Sequence, residues 1–446
     1  MYPQHLEQRL RAELDRKAAG AVMSAEAQSR LERRLRRQAW RRGGLAALGL
    51  ATVVILASLA VPSLRGLQRD TTLGSVPGNS WRVLAPAPLS PRSLAAAVWT
   101  GTRMLVWGGA GTQRVGDGIA LKGLADGAAY EPRLDRWTRI APAPLPGMGA
   151  PVAVWTGTRM LVWGAGDEAP TTAGAAYDPA TDTWQPIAPA PLSARSAATG
   201  MWTGSELLVW GGWAHKTNTT PSGNVVDGAA YDPAANTWRR LPDAPLPAGQ
   251  AQTAAWTGSA LVAFTFSGDR DPLCVGAAYN PAANSWRGLA ACPFDQLLNA
   301  QGAKAVWTGN EVLLVQHPDD VLTPQTQRAW RRPVYAAYDP ATDTWRRPAA
   351  KPAAINAGLQ FVWTGRELLL VNADNSENAA LARKGAAYDP SQDRWRSLPD
   401  APFALASSAI VWTGSDAVFW GGIATAGRPT NPGSLDTTGM AYRPGK

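Results

Sequence analysis

The chain has 446 residues and a formal net charge of +9, and it is rich in Gly (44), Pro (36) and Trp (21). Residues 1–42 hold 11 Lys and Arg against 5 Asp and Glu, whereas the remaining 404 residues hold 32 against 29. Because the larger part is nearly neutral, the charge excludes a basic nucleic-acid-binding domain over most of the chain, and no nucleic-acid partner is expected.

The first predicted element is a basic helical segment over residues 1–42. Its stretch SAEAQSRLERRLRRQAWRR begins with a helix-capping residue, Ser24. The basic face is expected to set membrane topology and to attract anionic lipid. The alternatives are a cytoplasmic protein partner or a nucleic acid. The segment also resembles the short cytoplasmic tails of bacterial transmembrane regulators, which implies the sensor part of such a regulator as a further possibility.

Residues 43–64 contain no charged side chain and are predicted to form a transmembrane helix. Twenty-two helical residues span roughly 33 Å, close to the hydrocarbon thickness of a bilayer. The basic residues that precede the helix place the N-terminus in the cytoplasm and the rest of the chain outside. A cleaved signal peptide, with Ser58–Ala60 as its cleavage site, is the alternative, although the 42-residue leader is long for one. Residues 65–78 follow as a linker.

Residues 79–446 contain a repeat with two anchors. Trp-Thr-Gly occurs seven times, and its tryptophans are Trp99, Trp155, Trp202, Trp256, Trp307, Trp363 and Trp412. A tyrosine seven residues before a tryptophan occurs six times, and these pairs are Tyr130/Trp137, Tyr177/Trp184, Tyr231/Trp238, Tyr279/Trp286, Tyr338/Trp345 and Tyr388/Trp395. The seventh pair is split, because Tyr442 lies at the end of the chain and Trp81 at the start of the repeat region.

Each repeat predicts four strands. In the third unit, SAATGMW and ELLVWGG are strands joined by a tight Thr-Gly turn, since Gly tolerates a positive φ. A loop of variable length follows, and then a third strand ending in Tyr-Asp-Pro, whose Asp and Pro favour a turn. The fourth strand contains the Trp. Four strands repeated seven times at about 50 residues predict an all-β, seven-bladed β-propeller.

The split Tyr/Trp pair predicts how the propeller closes. Residues 79–84 are expected to pair beside the strand that contains Tyr442, which would remove a free sheet edge. The fourth-strand tryptophans are expected to fill the gaps between blades near the rim, so their number does not by itself indicate a sugar-binding surface.

Paired glycines at the end of the second strand, followed by the Tyr/Trp pair, resemble kelch repeats of the galactose-oxidase-type propeller superfamily, here in a membrane-anchored bacterial form. The glycine pairs are Gly108-Gly109, Gly211-Gly212 and Gly421-Gly422, and four units lack the full pair. The resemblance covers residues 79–446 and implies the propeller fold. The copper-oxidase branch of these propellers needs a modified Cys in a His/Tyr metal set, and neither Cys of this chain is placed for it.

The long variable loops and the connections between units are expected to share one face of the propeller, and function usually lies on such loops. The residue seven before each Trp-Thr-Gly is expected to start the inner strand there. Two of these residues, Arg92 and Arg195, are candidates to bind a carboxylate or phosphate. The alternative is that they pair with acidic side chains of neighbouring loops. Lys304 lies inside an inner strand and is expected to face the axial channel.

Three further candidates for ligand binding are His215, His317 and Asp319, which lie in the long loops. The two histidines are two units apart, and no set of ligands with metal-binding spacing accompanies them. The sequence also contains no phosphate loop, Gly-x-Ser-x-Gly or Cys-x-x-Cys pattern. No catalytic residue, metal or cofactor is therefore assigned.

The two cysteines, Cys274 and Cys292, are predicted to form a disulfide bond. If Tyr279 faces Trp286 across the outer hairpin of the fourth unit, the cysteines lie opposite each other within one residue of register. A compartment outside the cytoplasm favours the bond. The alternative is two small buried thiols.

The scaffold and the anchor favour a membrane-anchored, extracytoplasmic module that binds an unknown protein or carbohydrate through the loop face. The alternative is an enzyme acting on acidic sugars, an epimerase or mutarotase, as the analogy with some bacterial kelch-like propellers implies. An enzyme requires Arg92, Arg195, Lys304, His317 and Asp319 to converge on one point, whereas a binding module does not.

Overall fold

The protein is described here from a computed structural model. The structure describes residues 78–115, 118–166, 172–216, 222–249, 251–267, 273–293, 304–315, 335–350, 352, 355, 360–372, 379–426 and 435–445. The predicted basic segment, the predicted transmembrane helix and nearly all of the predicted linker lie outside these residues. Within them, no helix is both long enough and apolar enough to span a bilayer.

Contacts along the chain define two compact units. One comprises residues 1–59 and 114–120, and its described residues belong to two strands introduced below. The other comprises residues 60–113 and 121–446 and contains the four-stranded sheets described below.

The described chain is all-β, with seven four-stranded antiparallel sheets, which we number in chain order. Sheet 1 contains β2 (Ala96–Trp99), β3 (Met104–Trp107), β6 (Gly127–Glu131) and β7 (Arg136–Arg139). Sheet 2 contains β8 (Val152–Trp155), β9 (Met160–Ala165), β10 (Thr172–Asp178) and β11 (Thr183–Pro186). Sheet 3 contains β13 (Thr199–Trp202), β14 (Leu207–Trp210), β17 (Gly228–Asp232) and β18 (Thr237–Arg240).

The remaining four-stranded sheets repeat this order of strands. Sheet 4 contains β19 (Ala251–Trp256), β20 (Leu261–Phe266), β21 (Cys274–Asn280) and β22 (Ser285–Gly288). Sheet 5 contains β23 (Lys304–Trp307), β24 (Val312–Val315), β25 (Tyr335–Asp339) and β26 (Thr344–Arg346). Sheet 6 contains β27 (Gln360–Trp363), β28 (Leu368–Val371), β29 (Gly385–Asp389) and β30 (Arg394–Ser397). Sheet 7 contains β32 (Ala409–Trp412), β33 (Ala417–Trp420), β35 (Gly439–Arg443) and β1 (Ser80–Val83).

Several loops that the sequence predicted to be irregular contain further strands. The small sheets are β4 (Ala110–Val115) with β5 (Gly118–Gly123), β12 (Arg195–Ser196) with β15 (Trp213–Ala214) and β16 (Gly223–Asn224), and β31 (Ala404–Ala406) with β34 (Ile423–Ala426). One helical turn, α1, spans Ala379–Ala382. These additions lie at the end of each sheet where the second strand leaves for the third, which we call the loop end.

The opposite end of each sheet, the turn end, is uniform. The second strands are apolar and buried on both faces, as MLVW in β3 and LLVW in β14. A Thr-Gly turn precedes each of them, and Gly204 adopts a φ of 107° there, a conformation that Gly reaches without a steric penalty. Thr203 accepts a hydrogen bond from the backbone N–H of Glu206 through its Oγ1 (2.9 Å), which closes the turn.

The predicted pairing of residues 79–84 with the strand that contains Tyr442 is confirmed. Strand β1 pairs antiparallel with β35, and Trp81 lies opposite Tyr442 in this register. The split pair therefore forms the same outer hairpin position as Tyr231 and Trp238, which pair between β17 and β18. Sheet 7 thus combines the beginning and the end of the described chain.

The core lies between successive sheets. The cluster between sheets 3 and 4, for example, contains Leu208, Trp210 and Tyr279, all nearly inaccessible to solvent. First strands also lie side by side, as β2 with β8 and β32, and β19 with β13 and β23. Each sheet therefore buries both of its faces, which explains why the second strands are apolar throughout instead of alternating.

Candidate functional site

The first candidate, Arg92, is fully buried at the loop end of sheet 1. Its Nε donates to the carbonyl of Ser90 (3.0 Å), and its Nη1 donates to the carbonyl of Gly108 (3.1 Å). The same Nη1 lies 2.8 Å from Oδ1 of Asp126. Burial opposes the ionisation of Asp126, but hydrogen bonds from Arg92 and Arg139 outweigh it and lower the pKa of this carboxyl.

Arg195 repeats this arrangement at the loop end of sheet 3. It is also buried, and its Nη1 and Nη2 donate to the two carboxylate oxygens of Asp227 (2.7 and 3.2 Å). Its Nε donates to the carbonyl of Ser193 (3.0 Å), and its Nη1 donates to the carbonyl of Gly211 (3.2 Å). Each arginine lies at the start of its unit. It hydrogen-bonds to the glycine pair of that unit and forms an ion pair with the Asp before the third strand.

The prediction that these arginines begin the inner strands was wrong. Strand β2 begins only at Ala96 and β13 only at Thr199. Leu94 and Ala197 have left-handed φ values of 57° and 53°, so the chain turns between each arginine and the strand. The turn directs the guanidinium groups into the protein, where acidic partners bind them as the alternative interpretation expected.

His215 lies beside Arg195 on the small sheet formed by β12, β15 and β16. Its backbone N–H donates to the carbonyl of Ala194 (2.8 Å), and its Nε2 lies 3.2 Å from Oγ of Ser196. The side chain is half-buried. His215 and Ser196 therefore form a partly accessible polar pair at the loop end of sheet 3.

Lys304 begins β23, the first strand of sheet 5, and its side chain is accessible to water. Protein nevertheless surrounds the ammonium group closely, and the resulting desolvation lowers its pKa. The other two candidates, His317 and Asp319, lie outside the described residues. Among the described candidates, only Arg195 and His215 are neighbours, and no hydrogen bond joins Arg92, Arg195 and Lys304 to one another.

The predicted disulfide bond between Cys274 and Cys292 is confirmed, with a Cα–Cα distance of 5.7 Å. Tyr279 pairs with Trp286 between β21 and β22, as the prediction required. The bond ties the start of β21 to the segment after β22 and therefore connects the loop end of sheet 4 to its outer edge.

At the turn end, one arrangement of side chains, which we call the clasp, joins every sheet to the preceding one. In each clasp, the fourth-strand indole N–H donates to a carbonyl of the preceding connection, and the tyrosine hydroxyl donates to an Asp or Asn with positive φ. The indole bonds are Trp137 to Ala85, Trp184 to Ala141, Trp238 to Ala188, Trp286 to Pro242, Trp345 to Ala290, Trp395 to Ala349 and Trp81 to Pro399, at 2.7–3.1 Å.

The acceptors of the tyrosine hydroxyls lie five residues after the tyrosine in six clasps, and the seventh acceptor is Asn79, which Tyr442 reaches from the other end of the chain. The six are Asp135, Asp182, Asn236, Asn284, Asp343 and Asp393. Burial and the hydrogen bond to Asp343 raise the pKa of Tyr338 to about 12, so this hydroxyl remains a donor at neutral pH. The clasps are thus structural hydrogen-bond networks.

An ion pair accompanies the clasp in sheets 3, 5 and 6. The residue after the fourth-strand Trp is Arg, and the residue before the second strand is Glu. The pairs are Arg239 with Glu206, Arg346 with Glu311 and Arg396 with Glu367, each formed through two guanidinium nitrogens. Each of these arginines also donates to the tyrosine hydroxyl of the next sheet.

Sheet 4 lacks this acidic partner. Ala260 occupies the position of Glu206, and the residue at the Asp-Pro turn is Asn280 where sheet 3 has Asp232. Arg287 is retained, but its contacts are long: 3.4 Å to Oη of Tyr338, 3.4 Å to the carbonyl of Pro340 and 3.5 Å to Asp343. Its side chain is 50% exposed, compared with 36–38% for the three paired arginines.

A surface cavity of about 440 Å³, half open to solvent, lies where the acidic partner is missing. It is bordered by Ala260 and Arg287 of sheet 4 and by Trp307 and Pro340 of sheet 5. Sequence reasoning missed this site. The sequence does show that Ala260 replaces a glutamate before the second strand. That this position contacts the arginine after the fourth-strand Trp becomes clear only once the strand register is known.

A scan against models of protein families found no match, and neither did a search of curated proteins. Within the described ranges, no group of three or more His, Cys, Asp and Glu side chains is arranged to hold a metal ion.

Proposed function

We propose that this chain is a membrane-anchored, extracytoplasmic β-propeller of seven kelch-like blades that binds a protein or a glycan through the loop ends of its blades. The seven four-stranded sheets would be the blades, and the pairing of β1 with β35 would close the ring. Residues 43–64 would be the anchor, and the disulfide bond supports a compartment outside the cytoplasm.

One observation carries the proposal of a binding module: the contrast between a uniform turn end and a varied loop end. The turn end repeats one clasp at seven joints, whereas the loop end carries three small sheets of different size. A rigid frame with different insertions on one side is the general arrangement of recognition scaffolds. Arg92 and Arg195 support this role by holding two of these insertions in place.

The proposed partner class can be tested with a glycan and cell-wall fragment array. The full-length protein in mild detergent is applied as wild type, as Lys304→Ala and as Ser205→Glu, a change at the exposed turn end of sheet 3. We expect the wild type and the turn-end variant to bind the same ligands, and the Lys304 variant to bind them at least about tenfold more weakly. Equal loss in both variants would contradict binding through the loop ends.

A further inference from the structure

We propose that the cavity between sheets 4 and 5 is a binding site for a small organic carboxylate, whose charged group replaces the glutamate that sheet 4 lacks. This site lies at the turn end and is separate from the loop ends to which the binding function is assigned. It is defined by Arg287, by the gap beside Ala260 and by the neighbouring side chains of sheet 5.

The first argument is the comparison with the paired joints. In sheets 3, 5 and 6 a carboxylate binds the equivalent arginine with two short bonds, such as 2.8 Å from Arg239 Nη2 to Glu206. Replacing Glu with Ala removes a CH₂ group and a carboxylate, that is, the atoms of an acetate ion. The guanidinium of Arg287 therefore faces the space in which the other joints hold a carboxylate.

The second argument is that sheets 1 and 2, which also lack this glutamate, pair their cation with an acid of the same sheet, whereas the acidic neighbour of Arg287 belongs to sheet 5. Sheets 1 and 2 carry the cation in the other position, as Arg103 and Arg159, and their turn acids Glu131 and Asp178 lie within 4.0 and 3.6 Å of these cations. In sheet 4 the turn residue is the neutral Asn280. Arg287 has one acidic neighbour, Asp343 of sheet 5, which Tyr338 and the backbone of Ala290 already engage.

The third argument is the lining of the cavity. Thr257, Ser259 and Ser285 contribute hydroxyl groups, and Trp286 and Trp307 contribute half-buried aromatic surface. A few polar groups among aromatic surface, around a single cation, are the usual features of a small-ligand site. Bidentate binding by Arg gives such a site its preference for a planar carboxylate.

The test uses acetate, which matches the missing atoms, and acetamide, which has the same shape without charge. The full-length protein in detergent is labelled with ¹⁵N-arginine, and the Nε–Hε signal of Arg287 is assigned by its loss in Arg287→Lys. We expect acetate to shift this signal, and the shift to saturate as the acetate concentration rises. Acetamide should leave the signal unchanged.

The variant Ala260→Glu restores the residue found in sheets 3, 5 and 6. We expect its Arg287 signal to lie at the acetate-bound position without ligand and to respond to acetate at least tenfold more weakly than the wild type. Ser205→Glu adds the same charge at a neighbouring turn and should respond as the wild type does. A melting temperature of Ala260→Glu at or above that of the wild type confirms that it folds. The proposal is overturned if acetate does not shift the Arg287 signal or if acetamide shifts it equally. It is also overturned if Ala260→Glu responds to acetate as the wild type does.

Discussion

The two ends of the sheets differ in what they repeat. At the turn end, the same tryptophan, tyrosine and positive-φ Asp or Asn occur at all seven joints. At the loop end, the described small sheets have three strands in sheet 3 and two strands in sheets 1 and 7, and the buried arginine occurs in sheets 1 and 3. In a repeat protein, geometry that recurs in every unit marks the joints, while variation between units marks the surface free to acquire a function.

The largest effect is expected from removing the strand that completes sheet 7. Deletion of residues 79–84 leaves β35 without its outer partner and removes the indole of Trp81, which donates to Pro399 and packs against Tyr442. Loss of this indole alone costs about 3–5 kcal/mol. We expect the melting temperature of the deletion variant, measured by tryptophan fluorescence, to fall by roughly 6–20 °C, because each kcal/mol lost lowers it by about 2–4 °C. An unchanged value would show that closure contributes nothing.

At the loop end, the ion pair of Arg195 with Asp227 is expected to stabilise the folded protein about as much as a clasp does. Arg195→Ala leaves the carboxylate of Asp227 and three backbone carbonyls without their buried donor. Breaking such a buried pair costs about 3–5 kcal/mol. Urea unfolding should show this loss, and Arg240→Ala is the matched control because Arg240 is exposed and lies 3.7 Å from the same Asp227. Equal effects of the two substitutions would contradict a special role for the buried arginine.

The disulfide bond should have a somewhat smaller effect. Its cysteines are 18 residues apart, for which loop-closure entropy predicts about 3 kcal/mol of stabilisation. We expect Cys274→Ala with Cys292→Ala to lose this amount in urea unfolding. Thiol titration of the unreduced, denatured wild type should give close to zero free thiols per chain, and two thiols would show that the bond is absent.

The smallest effect is a difference in acid sensitivity among the clasps. Hydrogen bonds from Tyr338 and the backbone of Ala290 lower the pKa of Asp343, and the clasp carboxyl Asp393 also has a lowered pKa. A carboxyl whose pKa is lower in the folded state than in the unfolded state stabilises the fold when it is ionised. This stabilisation is fully present above the unfolded pKa and is lost as the pH falls below about 4. Asn236 fills the same position without a charge.

Replacing both carboxyls tests this difference. In Asp343→Asn with Asp393→Asn, the melting temperature should decline less steeply between pH 5 and pH 3 than in the wild type, with the unchanged Asn236 clasp as the internal reference. The change should be small, because both carboxylates are nearly half exposed and solvent screens their interactions. Identical slopes would show that the clasp carboxyls do not contribute to acid sensitivity.

The sequence predicted the turn end well because its signals are local and repeated. The register of Tyr279 with Trp286 followed from one spacing, and it placed Cys274 opposite Cys292 correctly. The split pair of Tyr442 and Trp81 likewise predicted which strands meet. These features depend on strand pairing, which has a period of two and leaves few alternatives.

The candidate site was harder to predict because it depends on contacts between units. Arg92 was expected to start an inner strand on the loop face, but the left-handed Leu94 turns the chain and the side chain is buried. No local pattern marks a leucine for that conformation. The gap beside Ala260 cannot be recognised from its own unit. It is recognised only when Ala260 is compared with the glutamates at the same position in other sheets.

The central claim is that the clasp joining sheets 6 and 7 is equivalent to the other six, so that the series of joints closes on itself. Hydrogen exchange of the indole N–H groups tests it most directly. The full-length protein is labelled with ¹⁵N-tryptophan and transferred to D₂O, and the clasp signals are assigned by single Trp→Phe substitutions. We expect the indole N–H of Trp81 to be protected from exchange to a degree similar to that of Trp238, because both donate to partly buried carbonyls across a joint. Exchange of Trp81 at the rate of a free indole, with Trp238 still protected, would contradict the claim.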